Sequence, residues 1–364
     1  MARHRQTRRF SLDLKRLHVL DSLHSVPFGW GGCRVNMKTG EPVPVQRSLW
    51  IGREDPVRDV WTGVLKSALQ KHVRRGEVGL ALPVAAELLK RAKSEFFQRW
   101  PVIVAEDVLP GVALLPQLRD NPLGVVRATC RLPKNKETWG LYIAMKANPM
   151  QASLLPGFDR PFEVSLDGDD PLLAARIAWW LWDVGDRAHV ADVLVQRAKP
   201  AWCDGQRELL ARVAKSYDMC QTMFMLAGAV MIAMGQVGDV SVRVRPVTPS
   251  DVEPLASRTV AWYACDTHTA PGSMASRAVA SRYLPSDVSL GQFKETWFWL
   301  ESAKLGEPIA DHRYYSVDAS LIRDGVDPDR ARALWARYRP DVQRLVVWAG
   351  TKFNIHVVVG VERE

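Results

Sequence analysis

Apolar residues recur at three- and four-residue steps along most of the chain, which is the pattern of helices with one buried face. Val60, Val64 and Ala68 show this spacing in the stretch that begins at Pro56. Proline suits the first turn of a helix, and Gly76 follows the last periodic position, where glycine commonly ends a helix. The pattern therefore predicts a helix between Pro56 and Gly76.

The same spacing returns further along the chain and divides it into five predicted regions. They are a basic arm and irregular N-terminal segment at 1–53, a basic helical subdomain at 54–109, a β-containing insertion at 110–168, an apolar helical core at 169–238 and a C-terminal α subdomain at 239–364. The predicted fold class is mostly α, with multi-helix subdomains, a β-containing insertion near 110–165 and a C-terminal strand in NIHVVVGVE.

The insertion differs from its neighbours in composition. It is rich in proline and glycine, and it carries runs with β-branched residues such as LGVVRATCRL and WGLYIAM. Runs of this kind between turn-forming residues are typical of short strands. We therefore expect either a hairpin or an irregular segment at 110–165.

Residues 219–238 contain no charged side chain. Their continuously apolar part, 223–234, is shorter than the roughly 20 residues that a helix needs to cross a bilayer. Its methionines are flexible enough to fill irregular gaps in a protein core. The segment is therefore predicted to be a buried helix, and no membrane association is expected. The proline-rich residues that follow, 238–254, are typical of an extended connector.

Positive charge is concentrated near the N-terminus of this chain, whose net charge is +9 over 364 residues. Residues 1–16 carry six Lys or Arg against one Asp, and residues 66–99 carry eight against three Glu. Basic clusters of this kind favour binding to a polyanion such as DNA or RNA. The 14 tryptophans indicate either aromatic helix packing or surfaces for protein partners.

Several catalytic classes lack support in the sequence. It contains no P-loop, no dinucleotide-binding glycine motif, no zinc-protease motif and no G-x-S-x-G, so we expect no cofactor. The five cysteines are scattered and form no C-x-x-C pair, and no apolar signal segment follows the basic N-terminus. These features favour a cytoplasmic protein that is not an enzyme.

Residues 65–108 resemble the C-terminal helical region of the replication-associated recombination ATPases, which are relatives of the clamp-loader subunits. The resemblance covers about 45 residues, includes no ATPase core, and implies at most a part in oligomerisation or DNA handling. The matching positions are Ser67, Ala68, Leu69, Lys71, Arg74, Gly76, Ala81, Ala85, Arg99, Glu106 and Asp107.

The basic residues of the N-terminal quarter have two interpretations. They are either a surface that contacts phosphates, or cations that complement the negative ends of helices and pair with acids such as Glu106 and Asp107. For these two acids we expect structural ion pairs with Arg99, Arg74 or Arg75. The candidate nucleic-acid-binding residues are Arg3, Arg5, Arg8, Arg9, Lys71, Arg74, Arg75, Lys90 and Arg91.

The stretch YACDTHTAPGSMASR, residues 263–277, is the one candidate site for metal or hydrolytic chemistry. Asp266 and His268 would supply oxygen and nitrogen ligands, and Asp311 and His312 would join them in space. The alternative is structural: a helix begins here with Thr269 or Ser273 as its N-cap, and His268 is hydrogen-bonded inside the protein.

The charge pattern predicts a nucleic-acid-binding accessory protein in replication, recombination or repair. Its partners would be DNA or RNA, contacted without sequence preference, together with further copies of itself or replication and recombination proteins. One alternative is a metal-dependent phosphoesterase or nuclease centred on Asp266 and His268. A second alternative is a structural subunit of a multiprotein assembly.

Overall fold

The computed structural model describes residues 34–35, 42–43, 56–147, 161–216, 218–238, 242–306 and 316–360. The chain divides into two compact units, Met1–Pro56 and Val57–Glu364. In the first unit, strands β1 (Arg34–Val35) and β2 (Pro42–Val43) form an antiparallel pair. The arm arginines Arg3, Arg5, Arg8 and Arg9 lie outside the described residues.

The second unit is built almost entirely from helices, as predicted, so the fold class is mostly α. Its α-helices are α1 (Pro56–Arg74), α2 (Val78–Asp107), α3 (Pro122–Cys130), α4 (Glu137–Ala147), α5 (Phe162–Leu166), α6 (Pro171–Asp183), α7 (Arg187–Arg197), α8 (Cys203–Lys215), α9 (Met219–Ala233), α10 (Ala270–Arg282), α11 (Leu290–Trp297), α12 (Val317–Arg323) and α13 (Pro328–Lys352). The subdomain boundaries predicted within this unit stay predictions.

Helices α1 and α2 form a hairpin around Gly76, which has a φ of 71°. In that left-handed conformation, the N–H of Gly76 donates to the carbonyl of Val73 at 3.1 Å, and the N–H of Glu77 donates to that of His72 at 2.9 Å. Glycine adopts this conformation without a steric penalty, so it ends α1 as predicted. The apolar positions that predicted α1, such as Val64 and Ala68, are fully buried.

The predicted β-containing insertion is wrong for the described part of residues 110–165. A 3₁₀ helix (Leu109–Gln117) and the helices α3, α4 and α5 occupy it. In α3, Asn121 accepts a hydrogen bond from the N–H of Gly124 at 3.0 Å, and Pro122 fills the first position. The β-branched residues that suggested a strand instead pack into the core of a helical protein, where burial outweighs their intrinsic preference.

Helix α9 passes through the core, as the uncharged stretch predicted. Its residues from Thr222 to Ile232 are buried, and its N-terminus is capped by the carboxylate of Asp218, which accepts from the N–H of Gln221 at 3.1 Å. Among the described residues, no helix has both the length and the apolar composition that crossing a membrane requires.

The C-terminal part closes with the predicted short strand. Strand β4 (His356–Val358) pairs in parallel with β3 (Thr259–Ala261), in the register Thr259 to His356. A parallel pair requires a crossover connection. Helices α10 to α13 provide it, and α13 packs along α10.

Gly205 permits a close approach between α8 and the 3₁₀ helix, which gives a test of the fold. A Cβ on Gly205 of α8 would lie 2.2 Å from the carbonyl oxygen of Val112, whereas a Cβ on Gly63 of α1 would meet nothing within 4 Å. We expect Gly205→Ala to lower the free energy of unfolding by about 1–3 kcal/mol through overpacking against backbone. Gly63→Ala should instead raise it by about 0.5–1 kcal/mol.

Chemical denaturation of the two variants beside the parent measures this difference. Equal effects of the two substitutions would contradict the described packing of α8 on the 3₁₀ helix.

Candidate functional site

Ionisable side chains converge in the interior where α1 and α2 end. Further members come from the segment before α4, from the turn before α10, and from Phe298–Ser302, a π-helical extension of α11. We call this group the ion-pair cluster; it consists of Lys71, Arg74, Arg75, Arg99, Glu106, Asp107, Lys136, Asp266, Glu301 and Arg339.

Asp107, the last residue of α2, has no exposed surface, and neither has its partner Lys136. Its Oδ1 accepts from Arg74 Nε at 2.8 Å and from Lys136 Nζ, and its Oδ2 accepts from Arg74 Nη2 at 3.0 Å and Gln70 Nε2 at 2.8 Å. The two-point contact with one guanidinium is the strongest geometry for such a pair. Each carboxylate oxygen therefore accepts two hydrogen bonds from side chains of the protein.

Glu106 extends the cluster toward the surface. Its Oε1 accepts from Arg74 Nη2 at 3.3 Å and from the indole N–H of Trp139 at 3.0 Å, and its Oε2 lies 3.8 Å from Arg99 Nη2. The structural ion pairs predicted for Glu106 and Asp107 are confirmed, with Arg74 and Arg99 as the partners.

Arginine side chains also cap the end of the π-helical extension. Arg74 Nη1 donates to the carbonyl of Ser302, and Arg75 Nη2 donates to the carbonyl of Glu301 at 2.9 Å and to its Oε1 at 2.8 Å. Arg339 of α13 donates to Glu301 Oε2 at 3.0 Å. The last carbonyls of a helix have no partner within the helix, so these arginines satisfy them from outside.

Asp266 bridges Lys71 and His268 at the other side of the cluster. Lys71 Nζ lies 2.7 Å from Asp266 Oδ2 and donates to Ser67 Oγ at 2.7 Å, with both the lysine and the aspartate buried. The Oδ1 of Asp266 accepts from the backbone N–H of His268 at 3.1 Å, and its Oδ2 lies 3.3 Å from His268 Nδ1. The His268 side chain is 45% exposed, so it forms the solvent-facing edge.

The turn after Asp266 begins α10. Thr269 is its N-cap, and its Oγ accepts from the N–H of Gly272 at 3.2 Å. The structural interpretation of the YACDTHTAPGSMASR stretch is therefore confirmed for Thr269 as the N-cap, whereas His268 is hydrogen-bonded but not buried.

The metal interpretation lacks the partners that it needs within the described residues. Asp311 and His312 lie outside them, and the part of the chain that is described contains no group of three or more His, Cys, Asp or Glu side chains arranged to hold a metal ion. Both oxygens of Asp266 are occupied by internal donors. In this arrangement Asp266 joins α1 to the start of α10.

Burial and ion pairing oppose each other in setting the pKa values of the cluster. Burial by itself raises the pKa of Asp107, but the charges of Arg74 and Lys136 outweigh it and lower the pKa to about 2. Burial lowers the pKa of Lys136 to about 8, with a further contribution from Arg74. For Asp266, the charge of Lys71 likewise overcomes burial and holds the pKa well below its usual range.

The candidate nucleic-acid-binding residues fall into two groups. Lys71, Arg74 and Arg75 are turned inward, with side chains 4%, 4% and 7% exposed and carboxylate partners at short range. They therefore present no accessible charge to a phosphate in this conformation. Lys90 and Arg91 are exposed on α2.

Sequence reasoning missed Lys136, Glu301 and Arg339 as members of the cluster. Glu301 lies 226 positions from Arg75, so no local pattern connects the two residues. It also missed Lys134, a fully buried lysine that donates to the carbonyls of Thr129 at 3.1 Å and Cys130 at 2.7 Å at the end of α3. A lysine shortly after a helix end was the available signal for that contact.

The geometry of the cluster is that of a structural element. Each of its four carboxylates lies within ion-pair distance of at least one of its six cations. The end of the π-helical extension is satisfied by side chains from distant segments. No protein family, no curated protein and no solved structure matches this chain.

Asp107→Asn is the most direct test of the cluster. The change leaves Arg74 and Lys136 buried without their shared counter-charge, so we expect the free energy of unfolding to fall by about 3–5 kcal/mol. Asp204→Asn is the matched control, because Asp204 pairs with Arg207 at 2.6 Å on an exposed surface. The control should change stability by less than about 1 kcal/mol.

Acid should weaken the protein through the same carboxylate. Because the pKa of Asp107 is lower in the folded chain than in the unfolded chain, its stabilisation is complete above pH 4 and is lost as pH falls toward 2. The shift corresponds to about 2 kcal/mol. Denaturant titrations of the parent and of Asp107→Asn at pH 5, 4, 3 and 2 measure it. An identical pH dependence of the two proteins would contradict the assignment.

Proposed function

We propose that this protein is a nucleic-acid-binding accessory factor in replication, recombination or repair, which contacts phosphates without sequence preference. The observation that carries the proposal is the division of the basic residues in the N-terminal quarter. Lys71, Arg74 and Arg75 are buried in ion pairs, whereas Lys90, Arg91 and Lys93 are exposed around a bend in α2.

The exposed cations flank Ala92, where α2 departs from helical geometry with φ −146° and ψ 61°. Lys90, Arg91 and Lys93 are all exposed there. Neither Lys90 nor Lys93 has a hydrogen-bond or ion-pair partner among the described residues. Two uncompensated ammonium groups on one helix segment support the binding of a polyanion.

The acidic residues nearby each pair with a cation other than Lys90 and Lys93. Glu87 pairs with Arg91 one turn away, and Glu95 pairs with Lys66 at 2.8 Å. The N-terminal arm, with six Lys or Arg against one Asp, adds the second source of positive charge. Together they supply the sequence-independent phosphate contacts that the proposal requires.

The cysteines and the helix hairpin support the cellular setting of this proposal. Cys130, Cys203, Cys220 and Cys265 are all free thiols, which is typical of a reducing compartment such as the cytoplasm. The resemblance of residues 65–108 to the replication-associated recombination ATPases falls on the α1–α2 hairpin. It supports a role beside replication or recombination proteins, or in self-association.

Binding to DNA and RNA at low ionic strength tests the proposal. We expect the association constant to fall linearly with the logarithm of salt concentration, and Lys90→Gln/Lys93→Gln to reduce that slope by about 0.9 per lost phosphate contact on duplex DNA. Fluorescence anisotropy with labelled oligonucleotides of unrelated sequence measures both quantities. A second variant, with Arg3, Arg5, Arg8 and Arg9 changed to Gln, tests the arm in the same way.

The matched control is Arg197→Gln/Arg207→Gln, which removes the same charge from two arginines already paired with Asp167 and Asp204. It should leave the slope unchanged. Absence of binding to either nucleic acid at low ionic strength would overturn the proposed function.

A further inference from the structure

A second basic surface lies far along the chain from the N-terminal quarter, on the connector at 242–252. The connector alternates between two environments: Val242 and Val244 pack against the core, whereas Arg243 and Arg245 between them are exposed. Side chains two positions apart in an extended chain point to the same side, roughly 7 Å from each other. The alternation therefore directs two guanidinium groups outward together.

The connector is held in place by α3. The carbonyl of Arg245 accepts from Arg127 Nη2 at 3.1 Å and from Asn121 Nδ2 at 3.3 Å. The N–H of Val247 donates to Asn121 Oδ1 at 3.3 Å. A Cβ on Gly124 would lie 2.5 Å from the same carbonyl of Arg245, so the absence of a side chain there permits the close approach.

Helix α3 contributes further arginines to this surface. Arg119 lies two residues before its N-cap Asn121, and Arg131 is its C-cap; both are exposed. Arg127 lies between them and makes its hydrogen bonds to carbonyl oxygens of the connector, so its positive charge stays uncompensated by those contacts. We call the five residues the connector face: Arg119, Arg127, Arg131, Arg243 and Arg245.

The arginines of this face differ from most other exposed arginines of the protein. Four of them have no side-chain hydrogen bond or ion pair within the described residues: Arg119, Arg131, Arg243 and Arg245. Elsewhere on the described surface, several exposed arginines pair with carboxylates. They include Arg197, Arg207, Arg330, Arg332 and Arg344, whereas Arg187, Arg277, Arg282 and Arg337 are exposed without a carboxylate partner among the described residues.

The acids beside the face do not neutralise it. The carboxylate of Asp251 accepts from the N–H of Thr248 at 2.8 Å and from the hydroxyl of Thr248 at 2.7 Å, which closes a capping box in the connector. Asp251 also lies close enough to Arg127 for an electrostatic interaction. Asp120 and Glu253 are the other acids adjacent in sequence, and both are exposed. Five arginines therefore outnumber three acids on this surface.

We propose that the connector face is a second phosphate-binding surface, which receives the backbone of a nucleic acid. The inference rests on the proposed function and adds a site to it. A guanidinium group is planar and can donate two parallel hydrogen bonds to one phosphate group. This geometry makes arginine well suited to binding phosphate. The rigid attachment of the connector to α3 holds Arg243 and Arg245 in position before the ligand binds.

The variant Arg243→Gln/Arg245→Gln tests the proposal in the full chain. With labelled duplex DNA, we expect the slope of log association constant against log salt to become shallower by about 2, which is about 0.9 for each lost contact. Affinity at low ionic strength should fall together with the slope, for all sequences alike. Because neither side chain makes a hydrogen bond or ion pair among the described residues, the melting temperature should stay within error of the parent.

The matched control is Arg330→Gln/Arg332→Gln, which removes the same charge from arginines paired with Asp287 and Asp318. It should leave the slope at the parent value. An unchanged slope and affinity in Arg243→Gln/Arg245→Gln, with the parent still bound, overturns the connector face and leaves the proposed function standing. A parent that binds no nucleic acid overturns the proposed function, and the connector face with it.

Discussion

The fully buried carboxylate of Asp107 is the constraint on which the second unit depends. A charge without access to water is tolerated only when donors surround it, and here they come from α1 and from the segment before α4. The same Arg74 that meets Asp107 also donates to the carbonyl of Ser302. One ionised group thus requires α1, the segment before α4 and the end of the π-helical extension to meet in a defined geometry. Apolar packing alone does not specify that geometry.

The α1–α2 hairpin holds Arg74 and Asp107 in the positions that this constraint requires. Ala68, Ala81 and Ala85 are fully buried, and Gly76 supplies the left-handed turn between α1 and α2. Arg74 meets Asp107 across the hairpin. Each of these positions therefore has a structural role in this chain, and a hairpin of the same geometry would need similar residues for physical reasons alone.

Sequence reasoning reached the parts of the molecule that local patterns determine. The end of α1 at Gly76, the buried helix α9 and the cap at Thr269 all depend on residues within a few positions of one another. The helical character of 110–165 depends instead on tertiary packing, which overrides the preference of β-branched residues. The contact between Arg75 and Glu301 depends on the whole fold, because it joins residues 226 positions apart.

The parallel pairing of β3 with β4 has a consequence for how the chain reaches its folded state. The two strands are separated by about 100 residues. The chain therefore loses conformational entropy in closing this long loop before the hydrogen bonds between the strands can form. Helices such as α10 and α13 form from local contacts on a much faster timescale. We therefore expect β3 to join β4 late in folding, in a step whose speed depends on the topology of the C-terminal part.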